Sequence, residues 1–252
     1  VFKGETIDPD LAHPSYDYGV ARRHADLNGL PRFPCGSAGA YPSVAALGSK
    51  EWGWGPLSQL PAYSGSLSNK WGCSGVPAEY LKLGKENAGG DCYPIRSVDE
   101  LIEAIVNLYP CTLAVSFSPG GKYKADNRNC LRWDGPRQGG HQMCITAYDG
   151  SLGPGHEYFF VQNSHGPRAQ AATEPLQGEP PGGFWVPKSQ VVEWLRQRNC
   201  EIWAVSDVNG FPAEDKIDWS IFDQFDLPQP VKKELENDSQ SCLSVPSYGM
   251  AI

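Results

Sequence analysis

The order of helix and strand signals constrains this chain of 252 residues more than any other feature. Ser97-Val98-Asp99-Glu100 is a capping box. The serine can accept the backbone N–H three residues on, and the glutamate can reach back. Leu101, Ile102, Ile105, Val106 and Tyr109 then recur on one helical face until Pro110 stops the run. Beyond that proline, residues 111–117, 143–148, 158–162 and 202–208 read as strands. Ahead of it the periodic segments are helical. A helix is expected over 38–48, with Pro42 in its first turns, where a missing N–H costs little. Residues 48–75 read as loops with a short helix near 57–60, and 77–84 as another short helix. One more short helix is expected over 189–197, whereas 1–34 reads as an extended, surface-tracking segment. Helices first and strands later fit an α+β domain over 1–210, in two lobes of about 14–110 and 111–210.

Composition removes several classes of function. The net charge of −8 argues against a nucleic-acid surface, because phosphate binding needs a basic field. No run approaches the ~18 apolar residues of a membrane helix, and Val1-Phe2-Lys3-Gly4 opens no signal-type apolar region. None of the eight cysteines forms a CxxC pair or a Cys/His cluster with zinc-ligand spacing, so no metal or cofactor is expected. The last stretch, 211–252, holds eight acidic residues against three lysines, interleaved with Trp219, Phe222 and Phe225. It reads as a C-terminal arm that either drapes over its own domain or orders on a protein partner.

Three segments carry the chemistry. Cys35-Gly36-Ser37-Ala38-Gly39-Ala40-Tyr41-Pro42-Ser43 leads into the Ala/Val-rich helix. Gly140-His141-Gln142-Met143-Cys144-Ile145-Thr146-Ala147-Tyr148 begins a strand with a histidine. Tyr158-Phe159-Phe160-Val161-Gln162-Asn163-Ser164-His165-Gly166 ends one with an amide. In this order they resemble the papain-like cysteine peptidases, whose motifs are Cys-Gly-Ser-Cys-Trp, a strand opening on His, and Asn-Ser-Trp-Gly. Pro14-Ser15-Tyr16-Asp17-Tyr18 and Gly72-Cys73-Ser74-Gly75 add weaker matches.

The resemblance implies a papain-like two-lobe fold, with a helical left lobe, an antiparallel β-barrel-like right lobe and an extended C-terminal arm. It assigns His141 as the acid/base and Asn163 as the amide that orients its ring, as in the general triad scheme. A helix N-terminus aimed at position 38 would stabilise a thiolate there. Yet position 38 is alanine, and a methyl group cannot attack a carbonyl. Further departures surround it. Arg32 stands at the oxyanion glutamine, Gly39 at the tryptophan after the nucleophile, and His165 at the tryptophan that shields the His–Asn pair. Gly75 and Val76 fall in the substrate-pairing loop, where Val76 would crowd an approaching peptide.

The resemblance also pairs Cys35 with Cys73, closing a loop worth about 4 kcal/mol by chain entropy. A catalytic Cys35 would need a register shift. Cys92–Cys111 and Cys130–Cys200 are further possible pairs, and Cys144 is expected as a free thiol. The bridge leans towards an oxidising, extracellular or particle setting. His141 and His165 have no third residue at metal-ligand spacing. Two functions follow. One is a pseudopeptidase that binds a protein or peptide, as part of a larger assembly joined through the arm. The other is an active cysteine endopeptidase trapped by a Cys-to-Ala substitution at position 38.

Overall fold

The computed structural model describes residues 13–30, 33–36, 39–87, 92–166, 172–176 and 178–205. The chain divides between Pro212 and Ala213, so the predicted arm lies outside the described residues. Six α-helices and eight strands are described: α1 (Pro14–Leu27), α2 (Pro42–Trp52), α3 (Gly65–Ser74), α4 (Ala78–Lys85), β1 (Cys92–Ile95), α5 (Val98–Val106), β2 (Cys111–Ser116), β3 (Lys122–Ala125), β4 (Arg128–Leu131), β5 (Gly140–Asp149), β6 (Tyr158–Gln162), β7 (Gly183–Pro187), α6 (Lys188–Leu195) and β8 (Glu201–Val205). The α+β fold class holds, with helices first and strands after. No helix among the described residues is long and apolar enough to cross a membrane.

The helical part is richer than its hydrophobic pattern suggests. The extended segment expected over 1–34 contains α1 instead. His13 caps it, with Nδ1 accepting the Tyr16 N–H and Nε2 lying 2.7 Å from the Pro61 carbonyl oxygen. Tyr16, Val20 and Ala21 are buried on one face, but Ser15, Gly19 and Arg22 are buried beside them, which masks the periodicity. Loops were expected over most of 48–75, yet Ser64 caps α3 by accepting the Leu67 N–H. The short helix expected near 57–60 is a 3₁₀ helix, Leu57–Gln59, and α4 forms where expected.

The helix expected over 38–48 starts later and runs further. Proline opens α2 at Pro42, where its fixed φ suits a first turn. Gly48 lets α1 pass close by, since a Cβ there would stand 3.2 Å from the Ala21 Cα. The helical part has a core of Tyr16 and Val20 from α1, Trp71 from α3, Leu81 from α4, and Leu60 and Val76 from the connections between helices.

The strands form one sheet in the order β1-β8-β2-β5-β6-β7-β4-β3, antiparallel except where β4 meets β7. Strand β2 alternates buried and half-buried residues, as a sheet with one face on a core must. The capping box is present at α5, but the helix ends at Val106, ahead of Pro110. Leu101 and Ile105 of α5 and Val191 and Trp194 of α6 close over Leu113, Ile145, Phe159 and Ile202 of the sheet. Strands β1, β3, β4 and β7 had not been expected. Pro94 is tolerated in β1 because that strand is an edge.

Asp17 is the costly residue of α1. Its Oδ1 is enclosed with no hydrogen-bond partner among the described residues. Burial pushes the carboxyl up to about 8, against a smaller opposing effect of a hydrogen bond from the Gly55 backbone. The folded state therefore holds the proton more tightly than the unfolded chain does. The stability this contributes is complete below the ordinary value of 3.8 and is lost as pH rises through about 8. Asp17→Asn should flatten that slope and raise Tm at alkaline pH by on the order of a few degrees. Thermal melts of both proteins across the range check this.

Candidate functional site

Pairing of β5 sets the position of His141. In the β2–β5 ladder Val115 faces His141 and Ser116 faces Gly140. The pairing continues past β2, where the Phe117 N–H donates to the Gly139 carbonyl and the Gln138 N–H to that of Phe117, both at 2.7 Å. Phe117 thus lies beside His141, ring edge to face, with centroids 4.7 Å apart. Trp133 supports Phe117 from behind, also edge to face at 5.5 Å, and its indole N–H donates to the Ser116 carbonyl at 2.9 Å. One wall of the site is therefore aromatic and fixed at both ends.

Asn163 directly follows β6, whose Gln162 pairs with Cys144. Its side chain reaches back across the ladder, and Oδ1 lies 2.8 Å from His141 Nε2. The same Oδ1 accepts the backbone N–H of His165 at 3.3 Å. A backbone N–H can only donate, so that atom is the amide oxygen, and Nε2 must carry the proton it shares with Asn163. The basic atom of the neutral ring is then Nδ1. Asn163 is 4% exposed, and its Nδ2 is enclosed with no partner among the described residues.

His165 stacks on His141, with centroids 4.3 Å apart and planes 25° from parallel. It meets Phe117 edge-on at 6.0 Å. An imidazole thus covers the pair where the resemblance expects an indole. Burial holds His141 below the usual imidazole range, the hydrogen bond to Asn163 opposes this, and any charge on His165 lowers it further.

The nucleophile segment is described only in part, because Arg32, Ser37 and Ala38 lie outside the described residues. Cys35 is bridged to Cys73 with Cα atoms 5.1 Å apart, which removes Cys35 as a stand-in nucleophile. The pairs Cys92–Cys111 and Cys130–Cys200 do not form, and Cys144 is a reduced thiol as expected. Burial pushes Cys111 and Cys200 up to about 12 and Cys130 to about 11, and it raises Cys144 as well. None of these four is a ready thiolate.

Two features depart from the sequence-based picture. The helix N-terminus does not sit at position 38, because α2 begins four residues later. Tyr41, at the cap position, offers no side-chain hydrogen bond. The cap comes from β8 instead, where Glu201 Oε2 accepts the Ser43 N–H at 2.8 Å and lies 3.4 Å from Trp203 Nε1. A carboxylate at that end of the helix dipole is favourable. Val76, expected to crowd a bound peptide, is turned the other way. It is 4% exposed in the helical core, and its Cγ2 occupies the space a side chain on Gly19 would need. Gly75 ends α3, with its N–H on the Trp71 carbonyl.

Sequence reasoning missed Phe117, Trp133 and Glu201 as parts of this region. Phe117 was visible only as the last residue of a strand, and Glu201 is far from α2 along the chain. Among the described residues no group of three His, Cys, Asp or Glu could hold a metal ion.

No protein-family model matches the chain, and no curated protein matches it in sequence. Among solved structures it is similar to xylellain, a cysteine protease from Xylella fastidiosa. The identity is 14% and the TM-score 0.48, over 76% of this chain and 69% of that one. It is also similar to procathepsin L 3 of the Tenebrio molitor larval midgut. There the identity is 12% and the TM-score 0.40, over 77% of this chain and 65% of that one. What the chain itself supplies is the papain-like order of parts: a disulfide-anchored segment leading into α2, then β5 and β6 bringing His141 onto Asn163.

The opposing influences on His141 can be separated by titrating its ring protons by NMR. The native ring should titrate below the ordinary 6.5. His165→Phe, which keeps a stacked ring and removes the charge, should raise it. Asn163→Ala should lower it further. The neutral ring is favoured by folding, so its stabilisation is present above 6.5 and is lost as pH falls through the folded value.

Proposed function

We propose that this chain is a papain-like scaffold that no longer hydrolyses peptide bonds and serves as a protein- or peptide-binding component. The observation that carries this reading is the packing beside Ala38. Gly39 has φ +108°, a conformation that favours glycine, and a Cβ there would stand 3.4 Å from the Phe33 ring. Phe33 in turn stacks on Tyr41, with centroids 5.1 Å apart. The tryptophan expected after the nucleophile would be strained at this backbone conformation. A single Cys-to-Ala replacement accounts for Ala38 but not for this neighbour, nor for the imidazole stacked on His141.

The second reading, an active endopeptidase trapped by that replacement, draws its support from the intact His141–Asn163 hydrogen bond. Loss of a nucleophile of this kind costs roughly six orders of magnitude in turnover, so restoring it gives an unambiguous signal. Under the proposed reading Ala38→Cys folds, leaves peptide substrates uncut and resists a thiol-directed epoxide. Hydrolysis by that variant would establish the endopeptidase instead.

The partner contact is assigned to the acidic, aromatic arm. Its negative charge suits a basic protein surface, and its aromatic residues suit apolar pockets. Removal of 211–252 should abolish association with the partner and leave the Tm of the remaining domain unchanged. Normal binding with a lowered Tm would make the arm a packing element of its own domain.

A further inference from the structure

The geometry points to Arg22 as the positioning residue of the segment that carries Ala38. This deepens the reading of position 38 as the nucleophile position and rests on it. Arg22 lies on α1, well outside the three motif segments, and is 2% exposed. Its guanidinium donates through one nitrogen to the Phe33 and Pro34 carbonyls, the latter at 2.8 Å. The other nitrogen donates to the Gly39 carbonyl at 3.1 Å and to the Tyr18 hydroxyl at 2.5 Å. The carbonyls of Phe33 and Pro34 precede Ala38 and that of Gly39 follows it. One planar group therefore holds backbone on both sides of position 38, and it does so from α1, which carries neither cysteine of the Cys35–Cys73 bridge.

Lysine could not do the same work. An ammonium is a compact charge on a flexible stem, whereas the guanidinium presents a rigid fork of donors at fixed angles. The surroundings make the fork necessary. The gap between α1 and the described residues of 33–44 is lined by Ala21, Ala25, Phe33, Tyr41 and Val44, whose side chains offer those carbonyls no alternative donor apart from the tyrosine hydroxyl. Without the guanidinium, three backbone carbonyls would lose a charged donor inside an apolar pocket. It fixes the path of the backbone.

The test measures local order around Cys35 without asking for hydrolysis. In the full chain, Arg22→Lys and Arg22→Ala are compared with the native protein for the rate at which dithiothreitol reduces Cys35–Cys73 under native conditions. Labelled peptides identify the two released thiols. Both variants should be reduced roughly tenfold faster or more, the effect of losing one or two charge-assisted hydrogen bonds. Methylguanidinium at a non-denaturing concentration should slow reduction of Arg22→Ala again, and methylammonium should not. If Arg22→Ala does not fold alone, the same pair of cations is compared for recovery of folding. Native-like reduction of Arg22→Lys would overturn the proposal, as would failure of methylguanidinium to rescue Arg22→Ala. Hydrolysis by Ala38→Cys would overturn the inactive reading while leaving this role of Arg22 intact, so the two failures are distinguishable.

Discussion

The site depends on the register of β5. This strand pairs with β2 on one side and β6 on the other, and a slip of one residue on either side would send its side chains to the opposite face. The ladder fixes His141 opposite Val115 and brings Asn163 back over it from the end of β6. The β5–β6 pairing shifts register between Ile145 and Ala147, beyond the end that carries the histidine, whose pairing with β2 is regular. Phe117, Trp133 and His165 then enclose a pair that the backbone has already placed.

How legible each element was follows from how its residues are buried. Strands β5 and β6 were readable because Met143, Ile145, Phe159 and Val161 are apolar and go into one core. Helix α5 was readable because a capping box and a clean apolar face agree. In contrast, β3 is Lys-Tyr-Lys-Ala at the sheet edge, and β7 is flanked by the glycine and proline of a turn-like sequence. Helix α1 buries an arginine, a serine and a glycine, and α3 is built largely from glycine and serine. These elements are held by contacts distant in sequence, and local pattern cannot report those. The same limit applies at the site. Ala38, Gly39 and His165 stood out as departures at once, but the Phe33 ring over Gly39 and the inward turn of Val76 are tertiary facts.

The balance of charge across the region shows how polar groups are managed inside the molecule. Glu201 is matched to backbone N–H and indole donors at the start of α2. Asp17, with one oxygen left enclosed and unpartnered among the described residues, shifts its protonation instead of finding a counter-charge. Both outcomes obey one rule, that a charge removed from water must be paired, satisfied by dipoles or neutralised. Where the sequence places a charged residue says little about which of these it meets; the fold decides.

The reach of Glu201 to Ser43 spans 158 residues of chain. During synthesis the helical portion leaves the ribosome first, yet the acceptor for the start of α2 belongs to β8, made far later. Strand β1 waits on the same segment, since β8 is its neighbour in the sheet. Closure of so long a loop is slow compared with forming local helices. The start of α2 therefore gains its cap only once β8 is in place, and a nascent chain halted before residue 201 would lack it.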